Sequence, residues 1–71
     1  MTAMAQARLT SRRLPEGRPL WLFTGQVGPL IGHAAAGDLV DVLTAEGQFY
    51  GRGLYNPSSK IRVRLLTFEE R

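Results

Sequence analysis

GDLVDVLTAEGQFYGRGLYNPSSKIRVRLLT, residues 37–67, reads as three successive β-strands joined by two turns. Over residues 38–44, Val40 and Val42 fall on one side and Leu39, Asp41 and Leu43 on the other. That is the two-residue alternation of a strand with one buried face. Ala45-Glu46-Gly47-Gln48 is a turn, where Gly47 can take the positive φ that a tight hairpin with a bulge requires. A second strand covers residues 49–54. Its Gly51 and Gly53 share a face with Phe49, so they either admit a close neighbour or let the strand bend at a barrel corner. Tyr55 to Ser59 is a loop centred on Asn56-Pro57. The third strand, residues 60–67, has the cleanest alternation in the chain. Ile61, Val63 and Leu65 point one way, and Lys60, Arg62 and Arg64 the other. Such a strand buries its aliphatic face and offers the cationic one to an anion.

Outward from this stretch the pattern weakens. Residues 7–10 open a first strand with little apolar content, and residues 1–6 are expected to be frayed. Ser11-Arg12-Arg13-Leu14 leads into Pro15-Glu16-Gly17-Arg18-Pro19, whose prolines and glycine mark a turn. Pro19 suits the first turn of a short helix over residues 20–23. Leu20, Trp21 and Phe23 would pack that helix on the sheet, and Thr24-Gly25 would end it. Residues 26–31 form a further strand, in which Pro29 indicates an edge position or a bulge. Residues 32–37, with His33, are a connection. The expected fold is mainly β: about five short strands with one or two short helices, in a closed or nearly closed small barrel.

Seventy-one residues make a single domain, residues 1–71, of a size that folds with little margin. Without cysteine there is no disulfide framework and no thiolate metal site. No apolar run approaches the roughly 18 residues of a membrane span. The first ten residues lack the apolar core of a signal peptide, so the cytoplasm is the expected compartment. The formal net charge of +3 is unevenly spread. Arg8, Arg12, Arg13 and Arg18 cluster near the start, and Arg52, Lys60, Arg62 and Arg64 near the end. Asp38, Asp41 and Glu46 lie between. If the first and last strands are neighbours, the two blocks merge into one patch suited to a polyanion such as RNA. The alternative is a solvated surface that keeps a small domain soluble.

The residues offer little for catalysis. His33 is the one histidine and sits in a glycine-alanine connection with no evident partner to orient it. Asp38 and Asp41 fall on opposite faces of a strand, which separates them as a carboxylate pair. Asp38 reads as a turn residue and Asp41 as a partner for a cation on a neighbouring strand. There is no metal-ligand spacing and no phosphate-cradling glycine loop. No enzyme activity, metal or cofactor is expected of these 71 residues. Trp21 and Phe23 are of the kind that stacks on bases. In so small a domain the stronger expectation places Trp21 in the core. Tyr50, beside Arg52, and Tyr55, at the start of the Asn-Pro loop, are the better candidates for exposure and RNA contact, and each could equally cap the end of the barrel.

The turn at 45–48, the Gly51-Arg52-Gly53 pair, the loop Tyr55-Asn56-Pro57-Ser58-Ser59 and the basic Ile61-Arg62-Val63-Arg64 occur in an order and spacing that resembles a known family. It is similar to the N-terminal PUA domain of bacterial class I S-adenosylmethionine-dependent methyltransferases acting on carbon-5 of a cytosine in large-subunit rRNA. The likeness is dense over about half the chain and looser upstream. There Gly17-Arg18-Pro19-Leu20-Trp21 stands where the family has Gly-His-Pro-Trp before a short helix. Arg18 replaces the histidine and one residue is added before Trp21. The resemblance implies a PUA-like pseudo-barrel that binds structured RNA through its short helix, an adjacent strand and nearby loops. It implies that the methyltransferase domain, with its S-adenosylmethionine, lies outside this chain, and that residues 67–71 begin the linker to it. Arg52, Asn56, Lys60, Arg62 and Arg64 lie within the matching motifs and are expected to bind RNA from charge and strand parity, with Arg12, Arg13 and Arg18 extending the patch and Tyr55 joining it at the start of the Asn-Pro loop. The expected partners are structured RNA, rRNA in particular, and the protein's own methyltransferase domain, with neither membrane nor metal. The rival reading is a docking or dimerisation module. In that case the basic strand meets an acidic surface, on the partner domain of its own parent protein or on a second copy, and if the strand at 60–67 lies at a sheet edge it augments another sheet.

Overall fold

The computed structural model describes residues 4–70. At its centre are β4 (Leu39–Leu43) and β5 (Phe49–Tyr55), the hairpin read from the sequence. Gly47 turns the chain with φ of 91°. The Thr44 N–H donates to the Gln48 carbonyl at 2.7 Å, and the Gln48 N–H donates to Thr44 Oγ1 at 3.0 Å. Tyr50 is the extra residue of a bulge, because Val42 pairs with Gly51 while Leu43 pairs with Phe49. β6 (Ile61–Thr67) pairs antiparallel with β5.

The remaining strands flank this meander. β1 (Gln6–Leu9) runs parallel to β4, and β3 (Val27–Ile31) closes antiparallel on β1. β2 (Trp21–Phe23) pairs antiparallel with β6. The result is one curled, half-barrel sheet in the order β2-β6-β5-β4-β1-β3. Pro29 sits on the edge strand β3, at the irregular part of its ladder, where a missing N–H is tolerated. Asp38 takes its turn role, with the Ala35 N–H donating to Oδ2 at 2.8 Å.

The concave face is the core. Ala7 and Leu9 of β1, Leu22 of β2, Val40 and Val42 of β4, and Val63 and Leu65 of β6 are all buried. The largest fully buried side chains are Leu22, Val40, Val42 and Val63, so this core is aliphatic. Gly53 belongs to it for a steric reason. A Cβ there would overlap the Arg64 carbonyl oxygen and lie 2.8 Å from Leu65 Cα. Of the two roles open to the glycine pair, close approach of β6 is the one realised at Gly53.

Three expectations change. Residues 20–23 are not a helix: Trp21 to Phe23 are strand, and the helical content near them is one 3₁₀ turn, Thr24–Gln26. A single helical turn has a costly nucleus, whereas an added strand satisfies the outer edge of β6. Ala5 and Gln6, expected to fray, join the fold. Ala5 is buried, its carbonyl accepts the Asp41 N–H at 3.0 Å, and Gln6 begins β1. Residues 1–3 of the frayed segment, and Arg71 of the expected linker, lie outside the described residues. Lastly, β1 and β6 are not neighbours, since β5 and β4 separate them.

Candidate nucleic-acid interface

β6 carries the cations of the interface and β2 its aromatic rings. The register explains how they meet. Trp21 lies opposite Arg64 and Leu22 opposite Val63, but Phe23 lies opposite Ile61. Arg62 is therefore the extra residue of a bulge in β6. Arg64 is exposed, and its guanidinium carbon lies 6.0 Å from the centroid of the Trp21 ring. Lys60 is exposed just beyond Phe23, and its carbonyl accepts the Thr24 N–H at 3.0 Å. Arg62 is half-buried, and its Nε is buried with no hydrogen-bond partner among the described residues. The bulge is the reason it departs from the simple alternation read in the sequence.

The other cations divide. Arg12 and Arg13 are exposed on the connection from β1 to β2, where the Arg13 N–H donates to Ser11 Oγ at 3.1 Å. Arg18 follows Gly17, both with positive φ (49° and 72°), and its guanidinium carbon lies 5.2 Å from the Phe68 ring centroid. Arg18 thus stands at the C-terminal end of β6 and Lys60 at its start, separated by roughly 26 Å at about 3.3 Å per residue. Through this connection Arg18 reaches the end of β6, whereas Arg8 lies on β1 beside Leu43 and the hairpin turn. Arg52 is placed differently. Its Nε donates to Asp41 Oδ1 at 2.6 Å, both side chains are about four-fifths buried, and its guanidinium also lies over Phe49. The cation partner anticipated for Asp41 is therefore Arg52, which removes Arg52 from the free positive surface.

The exposure of the aromatic residues is the reverse of the expectation. Trp21 is 49% and Phe23 50% exposed, whereas Tyr55 is 9% exposed. A strand alternates, so a three-residue strand with Leu22 inward must turn Trp21 and Phe23 outward. Tyr55 follows the inward row of Gly51 and Gly53, and its ring belongs to the core. That parity is legible in the sequence. Tyr50, displaced by its bulge, packs edge-on against Phe68 with centroids 5.5 Å apart. Its hydroxyl is buried without a partner among the described residues, and burial raises its pKa above the usual 10.0 while Arg18 opposes that shift.

Asn56 is exposed beside this face, its side-chain oxygen accepting the Ser58 N–H at 3.0 Å. Between its loop and Arg64 is a notch of about 250 Å³, floored by Leu54, Tyr55 and Ile61. That is below the roughly 300–1,000 Å³ of small-molecule sites. Among the described residues no three potential metal ligands converge, and no helix is long and apolar enough to cross a membrane. Among the described residues the one helical element is the three-residue 3₁₀ turn, so no strand, glycine loop and helix follow one another.

The chain matches the PUA-like domain over residues 8–68. It is similar to a protein named ribosomal RNA large subunit methyltransferase I from Alteromonas mediterranea, 52% identical over 50 residues. That match covers 70% of this chain and 13% of the relative. Proteins of the same name are 41% identical over 49 residues in Klebsiella pneumoniae and 39% over 49 residues in Escherichia coli, covering 69% of this chain and 12% of each relative. The chain therefore spans only about one-eighth of the length of these curated relatives. With the match extending from β1 to the end of β6, the chain belongs to the family of PUA-like domains.

Proposed function

We propose that this domain binds structured RNA and positions large-subunit rRNA for a methyltransferase domain outside the chain. The observation that carries the reading is the placement of exposed cations along β6 and the segment leading into β2. Lys60 and Arg64 are exposed with half-buried Arg62 between them, Arg18 stands over Phe68 at the other end of β6, and Arg12 and Arg13 are exposed on the connection from β1 to β2. Of the six acidic residues, Asp38, Asp41 and Glu46 are on β4 and its flanking turns, with Asp41 held by Arg52, while Glu16 lies in the connection to β2 and Glu69 and Glu70 follow β6. Phosphate contacts from such a track fix the register of an RNA and carry little sequence information. Asn56 borders the same face and is assigned to it; Arg52 and Tyr55 are not, because one is ion-paired and the other buried.

The larger activity is assigned by likeness. The named relatives are rRNA large subunit methyltransferases, and this domain corresponds to a small part of them. S-adenosylmethionine and transfer to cytosine carbon-5 belong, on this reading, to the remainder of such a protein, which acts in the cytoplasm. Only the strand-adding form of the docking alternative is lost, because β6 is paired on both sides; docking of its cations on an acidic protein surface is the competing outcome of the titration below.

A fluorescence-anisotropy titration with a structured rRNA fragment over a salt series tests the reading. Six phosphate contacts give a slope of log K against log salt of roughly −4 to −5, at about −0.7 to −0.9 each. Lys60→Glu with Arg64→Glu should weaken every RNA by a similar factor and flatten that slope. No binding at low salt, or a loss confined to one sequence, would overturn it.

A further inference from the structure

We infer that Trp21 and Phe23 form a stacking site for unpaired nucleobases, with Arg64 and Lys60 holding the flanking phosphates. This rests on the RNA-binding reading and adds the class of RNA: single-stranded nucleotides in a loop, bulge or end. Four observations carry it. Both rings are half exposed on one face of a strand at the sheet edge. Neither has an aromatic partner among the described residues. The Arg64 guanidinium is 6.0 Å from the Trp21 ring, and the main chain of exposed Lys60 is bonded at the Phe23–Thr24 junction. Finally, the extra residue of the bulge is on β6, so β2 keeps its regular rise. Residues two apart on one strand face are then about 6.6 Å apart, close to twice the thickness of a base.

Two aromatic side chains on one strand, with cations on its neighbour, are the composition of single-strand binding surfaces, where ring faces take bases and cations take the backbone. A duplex turns its base faces inward and has nothing to offer these rings. On the free edge of β2 the Phe23 N–H already donates to Gln26 Oε1 at 2.9 Å, while on the paired side the Leu20 carbonyl accepts the Leu65 N–H of β6 at 2.6 Å. Leu20, 57% exposed, lies beside Trp21 and supplies a control, being apolar without a stacking face.

Trp21 is the only tryptophan, so its fluorescence reports this site alone. The experiment titrates the 71-residue chain with a short unpaired RNA and with a hairpin whose stem has the same sequence, reading anisotropy of the labelled RNA and emission of Trp21. The expected result is quenching by the unpaired RNA only. Trp21→Ala and Phe23→Ala should each weaken unpaired RNA by about 5- to 150-fold, the range of one lost base stack, and leave the hairpin stem unaffected. Trp21→Phe should restore most of the affinity, and Leu20→Ala should change nothing. RNA binding with no quenching, or with equal losses for both RNAs, would overturn the stacking site while leaving the phosphate track intact. Failure of both RNAs to bind at low salt would overturn both readings, and an apolar protein partner on these rings would take their place.

Discussion

Gly53→Ala should unfold most of what holds the basic strand in position. The added methyl would collide with backbone: the Arg64 carbonyl oxygen, then Arg64 C and Leu65 Cα, each at 2.8 Å. Carbon atoms rest about 3.5–4.0 Å apart, and no rotamer change moves a main chain away. β5 and β6 would have to part by about an ångström at the centre of the sheet, where strands stand ~4.8 Å apart. Overpacking costs typically 1–3 kcal/mol, occasionally more, and rigid neighbours place this case at about 3 kcal/mol or above. A domain of this length holds only ~4–11 kcal/mol in all. Gly51→Ala is the matched comparison. Its nearest neighbour is the end of the Leu65 side chain at 3.0 Å, followed by Thr67 O at 3.1 Å, so small shifts of a few tenths of an ångström relieve it for about 1 kcal/mol. Urea unfolding followed by far-ultraviolet circular dichroism measures both. With a slope near 1–1.5 kcal/mol/M, the Gly53 variant should lose roughly 2–3 M of midpoint. Equal midpoints for the two variants would refute the close-approach argument, and with it the explanation of how β6 is placed.

Two further perturbations test the electrostatics. The Asp41–Arg52 pair, with side chains 21% and 19% exposed, lies between a surface pair and a buried one. A double-mutant cycle with Asp41→Ala and Arg52→Ala should give a coupling of about 1–3 kcal/mol; a coupling near zero would return Arg52 to the list of phosphate ligands. Tyr50→Phe removes a buried hydroxyl with no partner among the described residues, so at neutral pH it should be neutral or stabilising by up to about 1 kcal/mol. The phenol of Tyr50 is raised in the folded state, chiefly by burial. Its contribution is therefore complete below the unfolded value near 10 and is lost as pH rises through the folded value. Unfolding curves of parent and variant should accordingly diverge further above pH ~10, and parallel curves through that range would contradict the burial of the hydroxyl.

The residues that alternate without interruption were legible as they stand. Val40 and Val42, then Val63 and Leu65, declare an inward face, and Gly47 and the Asn56-Pro57 loop punctuate them, because strand parity and turn chemistry are local properties. The place of Arg64 on the outward face follows from the same parity. Bulges are not local in this sense. Whether Arg62 or Tyr50 becomes the extra residue depends on which strand lies opposite, so the half-burial of Arg62 and the tucked ring of Tyr50 could not be read ahead of the sheet. Trp21 shows the same limit more sharply. Leu20 to Phe23 is compatible with an apolar helical turn, and only the unsatisfied outer edge of β6 makes it a strand that buries Leu22 and exposes both rings. The sequence by itself determined a small β domain with a basic strand, since composition and period two suffice for that. Tertiary structure alone decided which cation is neutralised, which aromatic residues reach solvent, and which strand lies beside the basic one, because each of these depends on a partner distant in the chain.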